Sequence, residues 1–205
     1  MEIIEPQVII ETPLDSNKIY TNLEKYGRTA YKSEDKITRG SAEKFLKSII
    51  NSGHESVIEH ESITVRFICD RGVTHELVRH RLVAYTQEST RYVNYLRRGI
   101  QFIKPCFWDS NEDEYKIWYA AMADAEDRYN QLIKWGASPQ EARSVLPNSL
   151  KTEIVTTANI REWRHILKLR TSPAAHPQMR QIMCQLLGML KKKLPVLFDD
   201  IAMDT

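Results

Sequence analysis

The chain has 205 residues, of which 42% are hydrophobic and 27% are charged, and its formal net charge is +2 at pH 7. These values predict one globular domain that spans residues 1–205 and has a core of ordinary size. They exclude a chain that binds polyanions over its whole surface, so any affinity for an anion must come from local clusters of charge.

The cysteine pattern and the apolar runs indicate where the protein works. Cys69, Cys106 and Cys184 are far apart, odd in number and form no CxxC motif. This pattern argues against a disulfide framework and a thiolate zinc site, and it favours a reducing compartment. No secretory signal is visible, and no apolar stretch approaches the roughly 20 residues that a bilayer span requires. We therefore expect a cytoplasmic protein with no membrane partner.

The first part of the chain predicts two strands and a helix between them. The sequence QVIIE at 7–11 is typical of a short strand, and a helix is expected to begin at Ser41 and to end at Gly53. Segment 62–69 alternates between apolar and polar residues, which predicts a half-buried strand. Its inward face is expected to consist of Ile63, Val65, Phe67 and Cys69.

A cluster of cations follows this strand. Thr74 is expected to cap a short helix that carries Arg79, His80 and Arg81. Consecutive residues of a helix are rotated by about 100°, so Arg79 and Arg81 would diverge by about 200°. Either the two arginines serve two ligands, or one of them serves a neighbouring subunit. The alternative is a solvated helix face on which Glu76 is the counter-charge.

The middle of the chain predicts a long helix. A strand is expected around 100–103, followed by a helix over about 112–135 that ends at Gly136. Residues 138–141, Ser-Pro-Gln-Glu, then predict the start of a short helix through a capping box, and this helix carries Arg143. The apolar stripe of the long helix consists of Tyr115, Trp118, Met122, Ala125, Tyr129 and Leu132.

The last part of the chain predicts one strand and two helices. Segment 151–158 alternates and is rich in β-branched residues, which predicts a strand. Asn159 is expected to cap a helix that ends near Arg170, and a final amphipathic helix carries Met179 to Leu190. Because helices and strands mix without a regular βαβ alternation, the fold class is predicted to be α+β with a helical C-terminal part.

The sequence Ser89-Thr90-Arg91-Tyr92 raises the possibility of either phosphate binding or nucleophilic catalysis. In an extended segment, Ser89 and Arg91 lie on one face, and a hydroxyl beside a guanidinium is a compact phosphate clamp. A serine nucleophile requires an adjacent base, and nothing here matches G-x-S-x-G. Ligand binding is therefore favoured over a serine hydrolase. A plain edge segment before the next strand is the remaining alternative.

The clustered histidines, the start of the helix after Asn159 and Arg170 are the remaining features that could bind a ligand or a metal. His54, His60, His75 and His80 fall close together, but their spacing does not match HExxH or another ligand pattern, so no metal is predicted. The first turn of the helix after Asn159 has free N–H groups that can accept a phosphate. Arg170 lies at a helix C-terminus, where it also complements the helix dipole.

The motif R-H-R, seven residues, then Ser, at Arg79 to Ser89, resembles the signature of the flavin-dependent thymidylate synthases. Further segments resemble this family in the expected order: 28–35, 53–60, 74–81, 87–95, 142–147 and 159–170. The resemblance implies a central, mostly antiparallel mixed sheet flanked by helices and a homotetramer with shared active sites. It also implies reductive methylation of dUMP to dTMP, with methylenetetrahydrofolate as the carbon donor, FAD as the hydride carrier and NADPH as the reductant. No nucleic-acid partner is implied.

The resemblance also implies roles for individual residues. The implied dUMP contacts are Glu76, Arg79, Gln87, Glu88, Ser89, Arg91, Arg143 and Arg170, with Arg143 donated by a neighbouring subunit. The implied FAD contacts are His54, Ser56, Glu59, Arg79, His80, Arg81, Gln87, Asn159, Arg161 and His165. Some members have different residues at the positions of Ala30, Gln87 and His165.

Arg170 resembles the catalytic arginine that activates the uracil ring. Its guanidinium has a pKa above ~12, so it would act by electrostatics and not as a base. A flavin hydride reduces the ring without a covalent enzyme adduct, so a cysteine nucleophile is not required. A different class of function, a single-stranded nucleic-acid-binding protein, would use Arg91, Arg97 and Arg98 with the neighbouring tyrosines. The low net charge argues against that class.

Overall fold

The computed structural model describes residues 1–203 and shows the predicted α+β fold. The strands are β1 (Glu2–Ile4), β2 (Gln7–Ile10), β3 (Ser62–Asp70), β4 (Ala84–Gln87), β5 (Gln101–Ile103) and β6 (Lys151–Asn159). The helices are α1 (Ser16–Thr29), α2 (Ser41–Asn51), α3 (Arg71–Leu77), α4 (Tyr95–Arg98), α5 (Asp113–Lys134), α6 (Pro139–Ala142), α7 (Ile160–Arg170), α8 (Pro177–Lys193) and α9 (Pro195–Phe198). Short 3₁₀ helices span Glu34–Lys36, Glu55–His60 and Arg143–Val145. Within residues 1–203, no helix is both long enough and apolar enough to cross a membrane.

The chain divides into two compact units, which are described separately. The first unit consists of residues 1–8, 66–79 and 85–155. The second unit consists of residues 9–65 and 80–84 and of the chain from Thr156 onwards. One unit boundary therefore falls between Arg79 and His80, inside the cationic cluster.

A four-stranded sheet has the order β2-β3-β6-β4. Strands β3 and β6 are antiparallel: Ile160 N donates to Glu61 O at 2.9 Å, and the hydroxyls of Thr64 and Thr157 lie 2.9 Å apart. Residue numbers therefore rise along one strand as they fall along the other. The predicted inward face of β3 is confirmed, because its four members are buried: Ile63, Val65, Phe67 and Cys69.

The first unit contains the long helix α5 and a small parallel sheet. Strand β1 pairs with β5 in the register Glu2 to Gln101. The predicted stripe of α5 is confirmed, since Trp118, Met122 and Tyr129 are buried. These side chains belong to one core cluster with Tyr95, Ile100, Phe102, Ala142 and Leu150. Gly136 follows α5 with φ +94°, a conformation that glycine adopts without a Cβ clash.

The prediction for α3 was wrong at both ends. Asp70, and not Thr74, caps the helix, because its carboxylate accepts from Val73 N at 2.8 Å. Thr74 lies within the helix, where its hydroxyl donates to the Arg71 carbonyl at 2.9 Å. The helix ends at Leu77, so Arg79 and the residues after it are not helical. The argument that the two arginines diverge around one helix therefore does not apply.

The second unit contains the predicted helical C-terminal part. Helices α1, α2, α7, α8 and α9 pack with the 3₁₀ helix Glu55–His60, and their buried side chains include Leu23, Leu46, Ile58, Trp163, Leu186 and Phe198. Trp163 is fully buried, and its Nε1 donates to Ile63 O at 2.9 Å. The predicted cap of α7 is confirmed, because Asn159 Oδ1 accepts from Glu162 N at 2.8 Å.

Candidate active site

The predicted phosphate-binding residues lie on a turn of the first unit. After β4, Glu88 N donates to Glu153 O at 2.8 Å, and Tyr92 N then donates to Ser89 O at 3.2 Å, which closes the turn. The Ser89 hydroxyl accepts from Arg91 N at 3.3 Å. The prediction of an extended segment was therefore wrong: the turn, and not strand alternation, brings the hydroxyl to the Arg91 backbone.

Arg143 lies against the same turn of its own chain. Its Nη1 donates to the Thr90 hydroxyl at 3.2 Å. The predicted capping box of Ser138 and Glu141 is confirmed, and it starts the helix that Arg143 follows. The turn thus has Arg91 within it and Arg143 beside it, and both side chains are of the type that binds phosphate. The donation of Arg143 to a neighbouring subunit stays a prediction.

Ser89 does not have the surroundings of a nucleophile. Among residues 1–203, its hydroxyl has one hydrogen-bond partner, Arg91 N, and that partner is a donor. Activation of a serine requires a base that accepts the hydroxyl proton. The arrangement therefore favours a ligand-binding role for Ser89.

An ion-pair network crosses the sheet beside this turn. Lys151 Nζ contacts Glu153 at 2.7 Å and Glu88 at 3.2 Å, and Glu153 also pairs with Arg66 at 3.2 Å. The Tyr95 hydroxyl donates to Glu88 at 2.9 Å. Burial alone would lower the pKa of Lys151, but its hydrogen bonds and the negative charges of Glu153 and Glu88 outweigh burial and raise it. The hydrogen bond from Lys151 lowers the pKa of Glu153.

The network lines a polar cavity of about 510 Å³ in the first unit. Two predicted nucleotide residues, Gln87 and Glu88, are part of its wall. The Gln87 amide donates to the hydroxyls of Thr74 at 3.0 Å and Thr152 at 3.3 Å, which fixes its position. Sequence reasoning missed Lys151 as part of this group. A period-2 pattern on β6, with Lys151 and Glu153 on one face, was the available signal.

The predicted residues at the end of α3 are more exposed. Arg79 is exposed and its Nε donates to the His75 carbonyl at 3.3 Å. Its backbone N donates to the Glu76 carbonyl at 3.2 Å, which forms a turn directly after α3 ends at Leu77. The nucleotide contacts of Glu76 and Arg79 stay predictions.

In the second unit, Arg170 and His80 are hydrogen-bonded. The Nε of Arg170 donates to Nε2 of His80 at 3.1 Å. The His165 ring meets the His80 ring edge-on, with centroids 5.9 Å apart. Burial, the Arg170 charge and His165 together lower the pKa of His80 to about 4, so this ring is neutral at pH 7. Two predicted site residues that are 90 positions apart in the sequence thus meet, whereas Arg81 is exposed to solvent.

His80 belongs to the one group of side chains in residues 1–203 with the spacing of metal ligands. Ligand atoms of His80, Glu162 and His165 all lie within 4.8 Å of one another. The guanidinium of Arg170 contacts the same histidine, and its positive charge opposes a cation there. We therefore assign no metal to this cluster.

A second cavity, of about 420 Å³, lies within the second unit. Its wall includes three predicted cofactor residues, His54, Ser56 and Arg161, together with Ala30. The Nη1 of Arg161 lies 2.5 Å from the carboxylate of Glu59, another predicted residue. The wall therefore contains the Arg161 guanidinium and the Ser56 hydroxyl, and it also has an apolar side that includes Phe45.

The packing at Gly27 forms part of the apolar side. A Cβ at this position would lie 2.7 Å from the Phe45 ring and 3.1 Å from Val57, so only glycine fits without a shift of its neighbours.

Asn159 is less available for a cofactor contact than predicted, since its side chain caps α7. Its cofactor contact stays a prediction.

The three thiols are poor candidates for a nucleophile. Burial raises the pKa of Cys69, of Cys106 and of Cys184, which disfavours the reactive thiolate in each case. All three cysteines are free thiols, as the sequence predicts.

Comparison with known proteins decides the family. The family model described as "Thymidylate synthase complementing protein" matches residues 14–196. The chain belongs to this family. The resemblance drawn from the R-H-R signature and its companion segments is thereby confirmed, and the matched range contains all of the predicted site residues.

Individual relatives agree with this membership in the thymidylate synthase complementing protein family. A flavin-dependent thymidylate synthase from Pyrococcus furiosus is 33% identical over 171 residues, which are 82% of this chain and 70% of the relative. Another, from Corynebacterium aurimucosum, is 34% identical over 197 residues, 87% of this chain and 78% of the relative. A crystal structure of the UMP/dUMP methylase PolB from Streptomyces cacaoi, bound with 5-Br dUMP, has a TM-score of 0.82 at 24% identity, covering 97% of this chain and 96% of that chain. It shows the same fold.

Proposed function

We propose that this family member is a flavin-dependent thymidylate synthase that methylates dUMP to dTMP. Methylenetetrahydrofolate is the carbon donor, and NADPH is the reductant. The observation that carries the proposal is the family match over residues 14–196, supported by curated relatives that bear this enzyme name. The proposed enzyme is a cytoplasmic homotetramer, with residues 1–205 as one functional domain.

The nucleotide is proposed to bind at the turn of the first unit. Ser89, Arg91 and Arg143 supply one hydroxyl and two guanidinium groups for the phosphate, and charge-assisted hydrogen bonds of this kind are among the strongest in proteins. Glu76, Arg79, Gln87 and Glu88 complete the proposed dUMP set. Glu88 would act through its network with Lys151, which holds its carboxylate in place.

FAD is proposed to bind at the cavity of the second unit. The residues there fit the group: Arg161 suits an anionic diphosphate, and the Phe45 side of the wall suits a flat ring. His54, Ser56, Glu59, Asn159 and His165 complete this part of the set, and Arg79, His80, Arg81 and Gln87 are the further proposed contacts. When bound, FAD supplies the hydride that reduces the uracil ring.

The chain's own catalytic contribution is electrostatic. Arg170 is proposed to polarise the uracil and to stabilise negative charge as it develops on the ring. It donates to a neutral His80, so its guanidinium has a defined orientation. The raised pKa values of the three thiols support a route without a covalent enzyme nucleophile.

A direct test uses the purified protein with each co-substrate in turn. The expected result is a yellow protein that forms dTMP from dUMP only when NADPH and methylenetetrahydrofolate are both present. A colourless protein that binds no added FAD would reject the proposal. Salt-sensitive binding of single-stranded DNA or RNA by that colourless protein would favour the nucleic-acid alternative.

A further inference from the structure

His80 sits between Arg170 and the carboxylate of Glu162. The ring is buried, its Nε2 accepts from Arg170 Nε at 3.1 Å, and its Nδ1 lies 3.8 Å from Glu162 Oε1. We propose that His80 is a positioning residue that holds the plane of the Arg170 guanidinium, with Glu162 fixing the tautomer that lets it do so. The inference rests on the proposed function, in which Arg170 activates the uracil.

The tautomer follows from the hydrogen bond. A neutral imidazole has one N–H and one lone pair, so a ring that accepts at Nε2 carries its proton on Nδ1. A distance of 3.8 Å is too long for a hydrogen bond between Nδ1 and Glu162. The carboxylate therefore acts through its charge, which attracts the N–H dipole and favours the proton on the Nδ1 side.

The hydrogen bond from Arg170 Nε to His80 sets the orientation of the Arg170 guanidinium. Arg170 is the last residue of α7, at the start of the loop that precedes α8, where backbone support is weakest. A guanidinium is planar, so a bond at Nε fixes the direction of its two terminal nitrogens as well. A long side chain loses rotamer freedom when it is ordered, and an arginine that is already held does not lose that freedom again during the reaction.

Burial and the positive charge of Arg170 keep His80 in the accepting form. Glu162, His165 and Arg170 all face the ring from α7. Together with burial, the positive charge of Arg170 disfavours a second proton on the imidazole. A protonated His80 would lose its acceptor and repel the guanidinium, so the neutral ring is essential to the arrangement.

The test is a double-mutant cycle with a rescue variant. His80→Phe keeps a ring but removes the acceptor, whereas His80→Gln offers an amide oxygen near the position of Nε2. Each variant is made alone and in an Arg170→Ala background. The rate of dTMP formation and the Kd for dUMP are measured with FAD held at saturation, and the flavin absorbance per subunit reports loading.

We expect His80→Phe to lower kcat about 10- to 100-fold, and Arg170→Ala about 100- to 1000-fold, as for loss of a preorganised donor. In the Arg170→Ala background, His80→Phe should change kcat by less than about twofold, because residues that act as a unit are not additive. His80→Gln should restore kcat to within about fivefold of the unsubstituted enzyme. The proposal would be overturned if the two losses in kcat multiplied in the double variant. It would also be overturned if His80→Phe and His80→Gln lowered kcat equally.

Two further comparisons separate this inference from the proposed function. His75→Gln alters an exposed histidine of α3 and should leave kcat unchanged, so a loss there would overturn a specific role for His80. If the unsubstituted enzyme forms dTMP but the effects of the two substitutions multiply in the double variant, only the positioning role is rejected. An unsubstituted enzyme with bound flavin that forms no dTMP rejects the proposed function and this inference with it.

Discussion

Arg164 and Asp200 form a bidentate ion pair, with the Nη1 to Oδ1 distance 2.6 Å and the Nη2 to Oδ2 distance 2.7 Å. The Arg164 side chain is 1% exposed, and it also donates to the Leu197 carbonyl and to Glu55 at 3.2 Å. Glu55 lines the proposed cofactor cavity. The C-terminal segment after α9 is thereby tied to the wall of that cavity.

Asp200→Asn should destabilise the protein. The substitution removes the negative charge and one of the two acceptor oxygens that Asp200 offers to a buried cation, and breaking a buried pair typically costs 3–5 kcal/mol. The Asp200 side chain is 42% exposed, so we reduce the expected loss in free energy of unfolding to about 1–3 kcal/mol. Urea denaturation at one protein concentration measures it. The neighbouring Asp199→Asn is the matched control and should stay within about 0.5 kcal/mol; equal losses in the two variants would contradict the assigned role of the pair.

Arg91→Ala should weaken dUMP binding. Loss of one charge-assisted hydrogen bond costs about 1.5–3 kcal/mol, which corresponds to an increase in Kd of about 10- to 100-fold. Arg97→Ala, an exposed arginine on α4 outside the proposed clamp, should leave the Kd unchanged. Isothermal titration with dUMP decides between them. If both variants lose affinity equally, the clamp is wrong and a diffuse basic surface is the better description.

Ser89→Ala should retain turnover while binding dUMP less tightly. The hydroxyl accepts from Arg91 N and has no base to activate it, so its loss is expected to raise the Kd by about 5- to 10-fold. Steady-state kinetics at saturating dUMP measure the retained kcat. Complete loss of turnover, together with a trapped acyl-enzyme in the unsubstituted protein, would establish a nucleophile.

A chain without cysteine should still form dTMP. The triple variant Cys69→Ala, Cys106→Ser, Cys184→Ala removes three thiols whose raised pKa values disfavour attack. We expect kcat within about threefold of the unsubstituted enzyme and a small loss of stability from the buried Cys69. A variant that keeps its flavin but loses dTMP formation would show that a thiol takes part.

The stability of the protein should fall between neutral and acid pH in a way that depends on His80. The folded pKa of this ring is about 4, below the unfolded value of about 6.5, so the unfolded state takes up the proton first as the pH falls. The free energy of unfolding therefore decreases from pH 6.5 towards pH 4. Denaturation curves at pH 7 and pH 5 should show a smaller decrease for His80→Gln than for the unsubstituted protein. An identical decrease would contradict the low pKa, and His75→Gln serves as the control.

Much of the fold could be predicted because its signals are local. The capping box of Ser138 and Glu141, the Asn159 cap and the stripe of α5 each need only residues within one or a few helical turns. The cap of α3 was missed because Asp70 is also the last residue of β3, and the strand pattern concealed its second role.

The candidate site could be predicted in composition but not in arrangement. Motif resemblance names residues such as His80 and Arg170, but their hydrogen bond joins positions 90 apart. The pairs of Lys151 with Glu88 and of Arg164 with Asp200 are also distant in sequence, at 63 and 36 positions. Such contacts depend on packing between elements, which local periodicity does not report.

Anaerobic reoxidation of the protein-bound flavin tests directly whether this protein methylates dUMP through FAD. The protein is loaded with FAD, reduced with NADPH, and mixed with dUMP and methylenetetrahydrofolate while the flavin absorbance is followed. We expect the absorbance to return only when both dUMP and the folate are present, with dTMP formed in proportion to the flavin. Flavin that stays reduced with both present, or that reoxidises without dTMP, would contradict this expectation.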